Sequence, residues 1–231
     1  MTRPNIVLAL TGASGAIYGV RLLHVLLAAD QHVHLSISPS AQLVLKHELG
    51  LSVDLETFRP ESLLCGDESP GGGSLSEAMA EVLERGQSER EGADRGQLTY
   101  HHYKNLMASI ASGSFLTAGM VICPCSGTTL GAVVHGTGEN LIHRAAGVHL
   151  KERRKLILVP RETPLSLVQL DNMRRAVEAG AILLPAMPGF YHSVRSIADL
   201  VDFVVARICD QLGIEHRLIH RWGSGESGAR E

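Results

Sequence analysis

The chain has 231 residues, 45% of them hydrophobic, which suits one generous α/β domain with a sizeable core and excludes global disorder. Its formal charge of -3 gives no electrostatic reason to expect nucleic acid or an anionic membrane surface. No apolar run reaches the roughly 18 residues of a membrane span, and the four cysteines make no disulfide framework in a chain this size.

MTRPNIVLALTGASG opens with one basic residue and a short apolar stretch that runs into a glycine turn. It reads as fold and not as an export signal, so a reduced, cytoplasmic protein is expected. NIVLALT (5–11) is a continuous apolar run, the mark of a strand buried on both faces of a parallel sheet. GASGA follows, then a helix with Val20, Leu22, Leu23, Leu26 and Leu27 apolar. VHLSIS (33–38) is a second strand, and Pro39 opens a helix reaching about Glu48.

Residues 66–97 change character. GDESPGGGS and GQSEREGADRGQ are polar and glycine-rich. Between them SLSEAMAEVLERG predicts one short helix, capped by Ser76 and stopped by Gly86. The stretch reads as an insertion with two flexible ends, dispensable for chemistry.

MVIC (120–123) is a third strand, with a helix starting near Thr128 and another from Glu139 to Arg153. LILVP (156–160) is a fourth strand, followed by a helix to about Glu178. AILLP (181–185) is a fifth, and IADLVDFVVARICDQLG (197–213) is the last helix. Strands alternating with helices predict a single α/β domain with a doubly wound parallel sheet. Ligands of such sheets sit at the carboxyl ends of strands. Here those ends read TGASG, SISPS, CPCSGTT, PRETP and PAMPGFYH.

Gly12, Ala13, Ser14 and Gly15 lie between strand and helix. Such a turn either receives a phosphate at the helix N-terminus or merely relieves strain. Cys123 and Cys125 are one residue apart, too close for a zinc pair, and no second pair exists. No spacing supplies a base for a thiol nucleophile. Cys123 then ends the strand and Pro124 turns the chain, with Ser126, Gly127, Thr128 and Thr129 offering hydroxyls and N–H groups at a helix start. The twelve histidines contain no HExxH and read mostly as surface or loop residues. Arg153 and Arg154 suit a helix C-terminal dipole. Arg161 and Glu162 follow a buried strand directly, where they either bind phosphate and carry a proton or form a structural ion pair. Arg207, within VVARI, either snorkels or reaches an anion.

Taken together, TGASGAIYGVRLL, SGSF…GMVICPCS, NLIHRAAGVHLKERRKLILVPRETPLS, AILLPAMPGFYH, DLVDFVVARI and the late RWG resemble the UbiX-type flavin prenyltransferases, in order and over nearly the whole chain except 50–100. The resemblance implies a flavodoxin-like fold assembled as a homododecamer. It implies reduced FMN as acceptor, with no metal, and dimethylallyl phosphate, or the pyrophosphate in some members, as donor. The prenyl carbon joins the flavin's central-ring nitrogen, and ring closure onto the neighbouring aromatic carbon adds a fourth ring. The product, prenylated FMN, serves a UbiD-type decarboxylase.

By the same resemblance, FMN contacts fall on Gly12, Ala13, Ser14, Ser38, Ser126, Gly127, Thr128, Thr129 and Arg161. Donor-phosphate contacts fall on Arg144, Lys151, Tyr191 and Arg207. Ser14, Glu48 and Glu162 match residues with roles in proton handling and catalysis. The chain has no DDxxD, so its basic residues would take the place of magnesium at the departing phosphate. Phosphopantothenoylcysteine-type decarboxylases show PASANT where this chain has PCSGTT, and PAMN where it has Pro188. A non-catalytic FMN-binding regulatory subunit would not need the charged set retained here.

Overall fold

The computed structural model describes residues 4–64, 74–91, 96–191 and 194–219. Their strands are β1 (Asn5–Leu10), β2 (His32–Ile37), β3 (Gln97–Tyr100), β4 (Gly119–Cys125), β5 (Leu156–Pro160) and β6 (Ile182–Leu183). The helices are α1 (Ala16–Ala28), α2 (Pro39–Leu49), α3 (Glu61–Leu64), α4 (Ser74–Glu91), α5 (Gly127–His135), α6 (Leu141–Lys151), α7 (Leu167–Glu178) and α8 (Ile197–Leu212). The sheet order is β3-β2-β1-β4-β5-β6, with every pairing parallel. Without edge strand β3 this is the flavodoxin order, which reverses between β1 and β4. The expected single-sheet, doubly wound, flavodoxin-like fold is what the chain forms.

Alternate residues of each strand feed opposite cores. Ile6, Leu8 and Leu10 of β1 face α1 and α8, while Val7 and Ala9 face α5 and α6. Serine caps start most of the helices around the sheet's carboxyl edge. Ser38 accepts from Ala41 N–H, Ser126 from Thr129 N–H, and Ser166 and Ser196 each complete a capping box.

Four sequence expectations are corrected. The sheet has a sixth strand, β3, which begins at Gln97, inside the stretch read as an insertion. Helix α4 does not stop at Gly86. A Cβ there would overlap the His24 ring of α1, so the glycine serves close helix packing and the helix continues to Glu91. Val82 is fully buried. The ends of the expected insertion, 66–73 and 92–95, lie outside the described residues, as does RWG. Strand β4 does not end at Cys123: it shifts register after Ile122 and pairs Cys125 with Pro160. Pro124, which has no N–H to give, instead offers its carbonyl to Thr11 Oγ1 at 2.7 Å. Finally, β6 is shorter than AILLP, because Pro185 cannot donate to a ladder; Leu184 and Ala186 N–H still reach Leu158 and Pro160.

Candidate functional site

The loops after β1 and β4 meet where the strand order reverses. Thr11 Oγ1 joins them by donating to the Pro124 carbonyl and accepting from Ser126 N–H at 2.8 Å. A Cβ on Gly12 would overlap Ser40, so only a glycine lets this loop lie against the start of α2 beside Ser38. Gly15 is left-handed, with φ 101°, and Arg161 Nε donates to the Ser14 carbonyl at 3.1 Å. Glu162 accepts from Gln169 Nε2 at 3.0 Å, and Gln169 in turn flanks Gly127 at the start of α5. Arg161 and Glu162 thus turn to different partners rather than to each other.

These ties gather Gly12, Ala13, Ser14, Ser38, Ser126, Gly127, Thr128, Thr129, Arg161 and Glu162 at the carboxyl edge where the strand order reverses, the place at which such sheets form their crevice. Ser14 and Thr128 are exposed at its rim, while Ala13 and Thr129 are buried beneath it. Two bare glycines, five hydroxyl side chains and a guanidinium gathered there fit a flat, phosphorylated, hydrogen-bonding group such as FMN.

One expectation changes. The amides at the start of α1 are already taken, because Glu48 accepts from Gly15 N–H at 2.9 Å and from Ala16 N–H at 3.0 Å. An anion does sit on this helix terminus, but it is the chain's own carboxylate. The starts of α2 and α5 remain the better places for a ligand phosphate.

The four residues expected to contact the donor phosphate fall into two separate groups. Tyr191 follows β6 at the carboxyl edge and meets Phe203 of α8 edge to face, with centroids 5.6 Å apart. Phe203 and Arg207 line a cavity of about 290 Å3 between α8 and β6, with Leu183, Leu184 and Met187. Of the two readings of Arg207 the structure shows the exposed one: its side chain is 48% exposed and pairs with Asp210 at 2.9 Å. Arg144 and Lys151 lie on α6, across the sheet. Arg144 Nε donates to the Ala111 carbonyl. Lys151 ends α6 just before the foot of β5, beside Glu152 at 3.4 Å. With 5 residues at about 3.3 Å each, the two ends of β5 lie roughly 17 Å apart. A single chain therefore does not unite Lys151 with the crevice.

The cysteines and histidines resolve differently from each other. Cys123 and Cys125 are 0% and 1% exposed, and burial pushes the Cys125 thiol up to about 12, which leaves it inert. The histidines are less superficial than expected, with His24, His34 and His149 buried. Among the described residues no group of three or more His, Cys, Asp or Glu is arranged to hold a metal. Likewise no helix among them is long and apolar enough to cross a membrane.

A family model described as Flavoprotein matches residues 1–209. The flavin prenyltransferase UbiX of Pseudomonas aeruginosa is 46% identical over 219 residues, covering 95% of this chain and 94% of that protein. The chain belongs to the UbiX-type flavin prenyltransferase family. Among solved structures, AnUbiX (PadA1) in complex with FMN and dimethylallyl pyrophosphate matches with a TM-score of 0.74 at 34% identity, over 97% of this chain and 100% of that one. A dodecameric FMN-dependent UbiX-like decarboxylase from Escherichia coli O157:H7 matches with a TM-score of 0.69 at 34% identity, over 95% and 99%.

Reading a UbiX-type site from sequence missed Thr11, which knots the two crevice loops, and Gln169, which carries Glu162. The first had no signal beyond a hydroxyl at a strand end. The second was visible as S-x-x-Q at 166–169, a capping-box pattern.

Proposed function

We propose that the protein transfers the dimethylallyl group of dimethylallyl phosphate to reduced FMN, releasing phosphate and yielding prenylated FMN, the cofactor of a UbiD-type decarboxylase. The observation that carries this reading is the crevice at the β1/β4 reversal, where Thr11 bonds both loops and Arg161 bonds Ser14. When bound, reduced FMN supplies the nucleophile and acceptor, so the chain need supply no nucleophile of its own. Inert cysteines beneath the crevice agree with that division of labour.

The protein's part is electrostatic. Ser38 and the Ser126–Thr129 turn hold the flavin phosphate at helix starts. Arg161, projecting beside Ser14, faces the developing negative charge of the leaving phosphate. Tyr191 and Arg207 grip the donor phosphate from the α8 side, and Arg144 and Lys151 add charge without a metal. Glu162, steadied by Gln169, is placed to give a proton to the leaving phosphate oxygen or to take one afterwards. Ser14 and Glu48 sit at the same turn and share the proton handling.

Because α6 lies across the sheet, Arg144 and Lys151 are read as a neighbouring copy's contribution in a homododecamer. Exposed apolar side chains support such assembly: Met107 is 94% exposed, Leu167 82%, Leu116 74% and Val168 70%. The setting is taken to be cytoplasmic, where reduced flavin is available.

The test is anaerobic incubation with reduced FMN and either dimethylallyl phosphate or pyrophosphate, in EDTA, followed by mass spectrometry of the flavin. A flavin heavier by one prenyl unit is expected. Its absence with both donors overturns the reading, and rescue by added magnesium overturns its metal-free part.

A further inference from the structure

Helix α4 lies in the stretch that composition marks as dispensable, yet it grips the start of α8. Val82 and Ala198, both fully buried, form the apolar part of the contact. The polar part is Arg85. Its Nη2 donates to Asp199 Oδ1 at 3.0 Å and reaches Ser196 Oγ at 3.4 Å, and its Nη1 donates to Asp202 Oδ2 at 3.0 Å. Arg85 also pairs with Glu81 on its own helix, and the Ser196 hydroxyl donates to Glu81 at 3.0 Å. Arg21 of α1 holds the other oxygen of Asp202 at 2.6 Å and is itself buried, with both Glu89 oxygens on its guanidinium.

The groups that Arg85 holds are those that define where α8 begins. Ser196 is the helix N-cap, and Asp199 returns a bond to the Ser196 N–H at 3.1 Å and to the Arg195 N–H at 2.8 Å. Glu81, Asp199 and Asp202 bring three carboxylates to one spot. Without the guanidinium between them they would repel, and the capping box would open. Phe203, next to Asp202, carries the ring on which Tyr191 rests. Gly189 is confined between the same two rings: a Cβ there would come within 2.8 Å of Tyr191 and 3.0 Å of Phe203.

We propose that Arg85 is a positioning residue: by holding Ser196, Asp199 and Asp202 it fixes the start of α8 and, through Phe203, the place of the Tyr191 ring. This rests on the reading of Tyr191 as a donor-phosphate contact. Through Arg85 the helix of the apparent insertion thereby sets donor affinity from the α8 side, while its contacts with α1 run through Gly86 and Glu89.

The experiment compares the full-length wild type with Arg85→Gln and Arg85→Lys. Hydrogen exchange over residues 194–200 reports the clamp without reference to any activity. Donor KM, kcat and FMN Kd report the consequence. Arg85→Gln is expected to speed that exchange and to raise donor KM about tenfold, the equivalent of one lost charged hydrogen bond, with FMN Kd within about twofold of wild type. Arg85→Lys keeps the charge but not the fork, so intermediate values are expected and they decide the matter if the glutamine variant does not fold.

Unchanged exchange in both variants overturns the clamp. Faster exchange with donor KM unmoved, or with donor KM and FMN Kd rising together, overturns the positioning role. A wild type that transfers no prenyl group from either donor sinks the functional reading and the donor clause with it. In that case exchange still separates a clamp from its absence.

Discussion

The Glu48 carboxylate sits on the backbone N–H groups of Gly15 and Ala16, at 2.9 and 3.0 Å, across the 33 and 32 residues that separate them in sequence. It bridges the last turn of α2 to the first turn of α1. The bond supplies both hydrogen bonds and a negative charge where the helix dipole is positive. Glu48→Ala should therefore lower the stability of the cofactor-free protein by about 0.5–2 kcal/mol, as loss of an N-cap does, measured by urea denaturation.

Glu48→Gln separates the structural task from the chemical one. The amide keeps one acceptor and most of the cap but cannot exchange a proton near neutral pH. If Glu48 also handles a proton, kcat should fall by roughly 10²-fold while FMN Kd changes little. A kcat loss no larger than the loss in FMN binding would leave Glu48 as a cap alone.

Gly19 tests how closely α1 must approach the strand that leads to the crevice. A Cβ at this position would overlap the Cys123 carbonyl oxygen and Leu10 Cδ2. Neither can give way freely, since one is backbone and the other sits in the core. Gly19→Ala should cost about 1–3 kcal/mol despite its better helix propensity, seen as a lower urea midpoint. An unchanged or raised midpoint would mean that α1 and β4 are less tightly joined than their contact indicates.

Much of this architecture was legible because buried parallel strands are continuous apolar runs. NIVLALT, MVIC and LILVP announced β1, β4 and β5 without help from long-range contacts. The crevice was legible for the same reason: its loops directly follow those strands. Edge elements were not. QLTY at 97–100 is short and half-exposed, so it carries no apolar run to betray β3. Gly86 read as a stop because propensity is local, whereas its use, close approach to His24, is tertiary. Arg21, Arg85 and Asp202 lie on three helices far apart in the chain, and no spacing among them announces their ion-pair network. The split of Lys151 from Tyr191 could not be seen either, since residue type and motif order say nothing about which face of the sheet a helix covers.

The histidines on β2 give a pH dependence with a definite sign. His34 stacks on His101, with its Nδ1 2.9 Å from His101 Nε2, while His32 lies tilted beside it and Phe115 meets it edge-on. Burial, then the neighbouring His32 and His101, lowers its pKa to about 4. His101 is shifted in the same direction, chiefly by burial. In the unfolded chain such a group takes its proton near 6.5, so the unfolded state binds more protons as the pH falls below that value. The contribution is whole above about pH 6.5 and declines toward pH 4. Unfolding free energy should fall with a slope approaching roughly 1.4 kcal/mol per pH unit for each such histidine. His34→Gln should flatten the urea-derived slope between pH 6.5 and 5, above the range where most carboxylates titrate. An unaltered slope would show that His34 takes up its proton at the same pH in the native and unfolded states.

Cys123 and Cys125 lie at the end of β4, directly beneath the crevice, where a reactive thiol would change the reading of the chemistry. Both are inaccessible, and burial raises both thiols, Cys125 to about 12. At neutral pH the thiolate fraction is then on the order of 10⁻⁵, and iodoacetamide reacts only with thiolate. Native protein should leave the 119–131 peptide unlabelled by mass spectrometry over hours, with full labelling once urea unfolds it. Cys125→Ser should retain wild-type turnover, because the side chain sits below the hydroxyls of Ser126 and Thr129 and not among them. It should cost about 1 kcal/mol of stability for a buried hydroxyl in place of a thiol. Rapid native labelling of this peptide, or a large fall in turnover with the fold and FMN binding intact, would bring a protein thiol back into the mechanism.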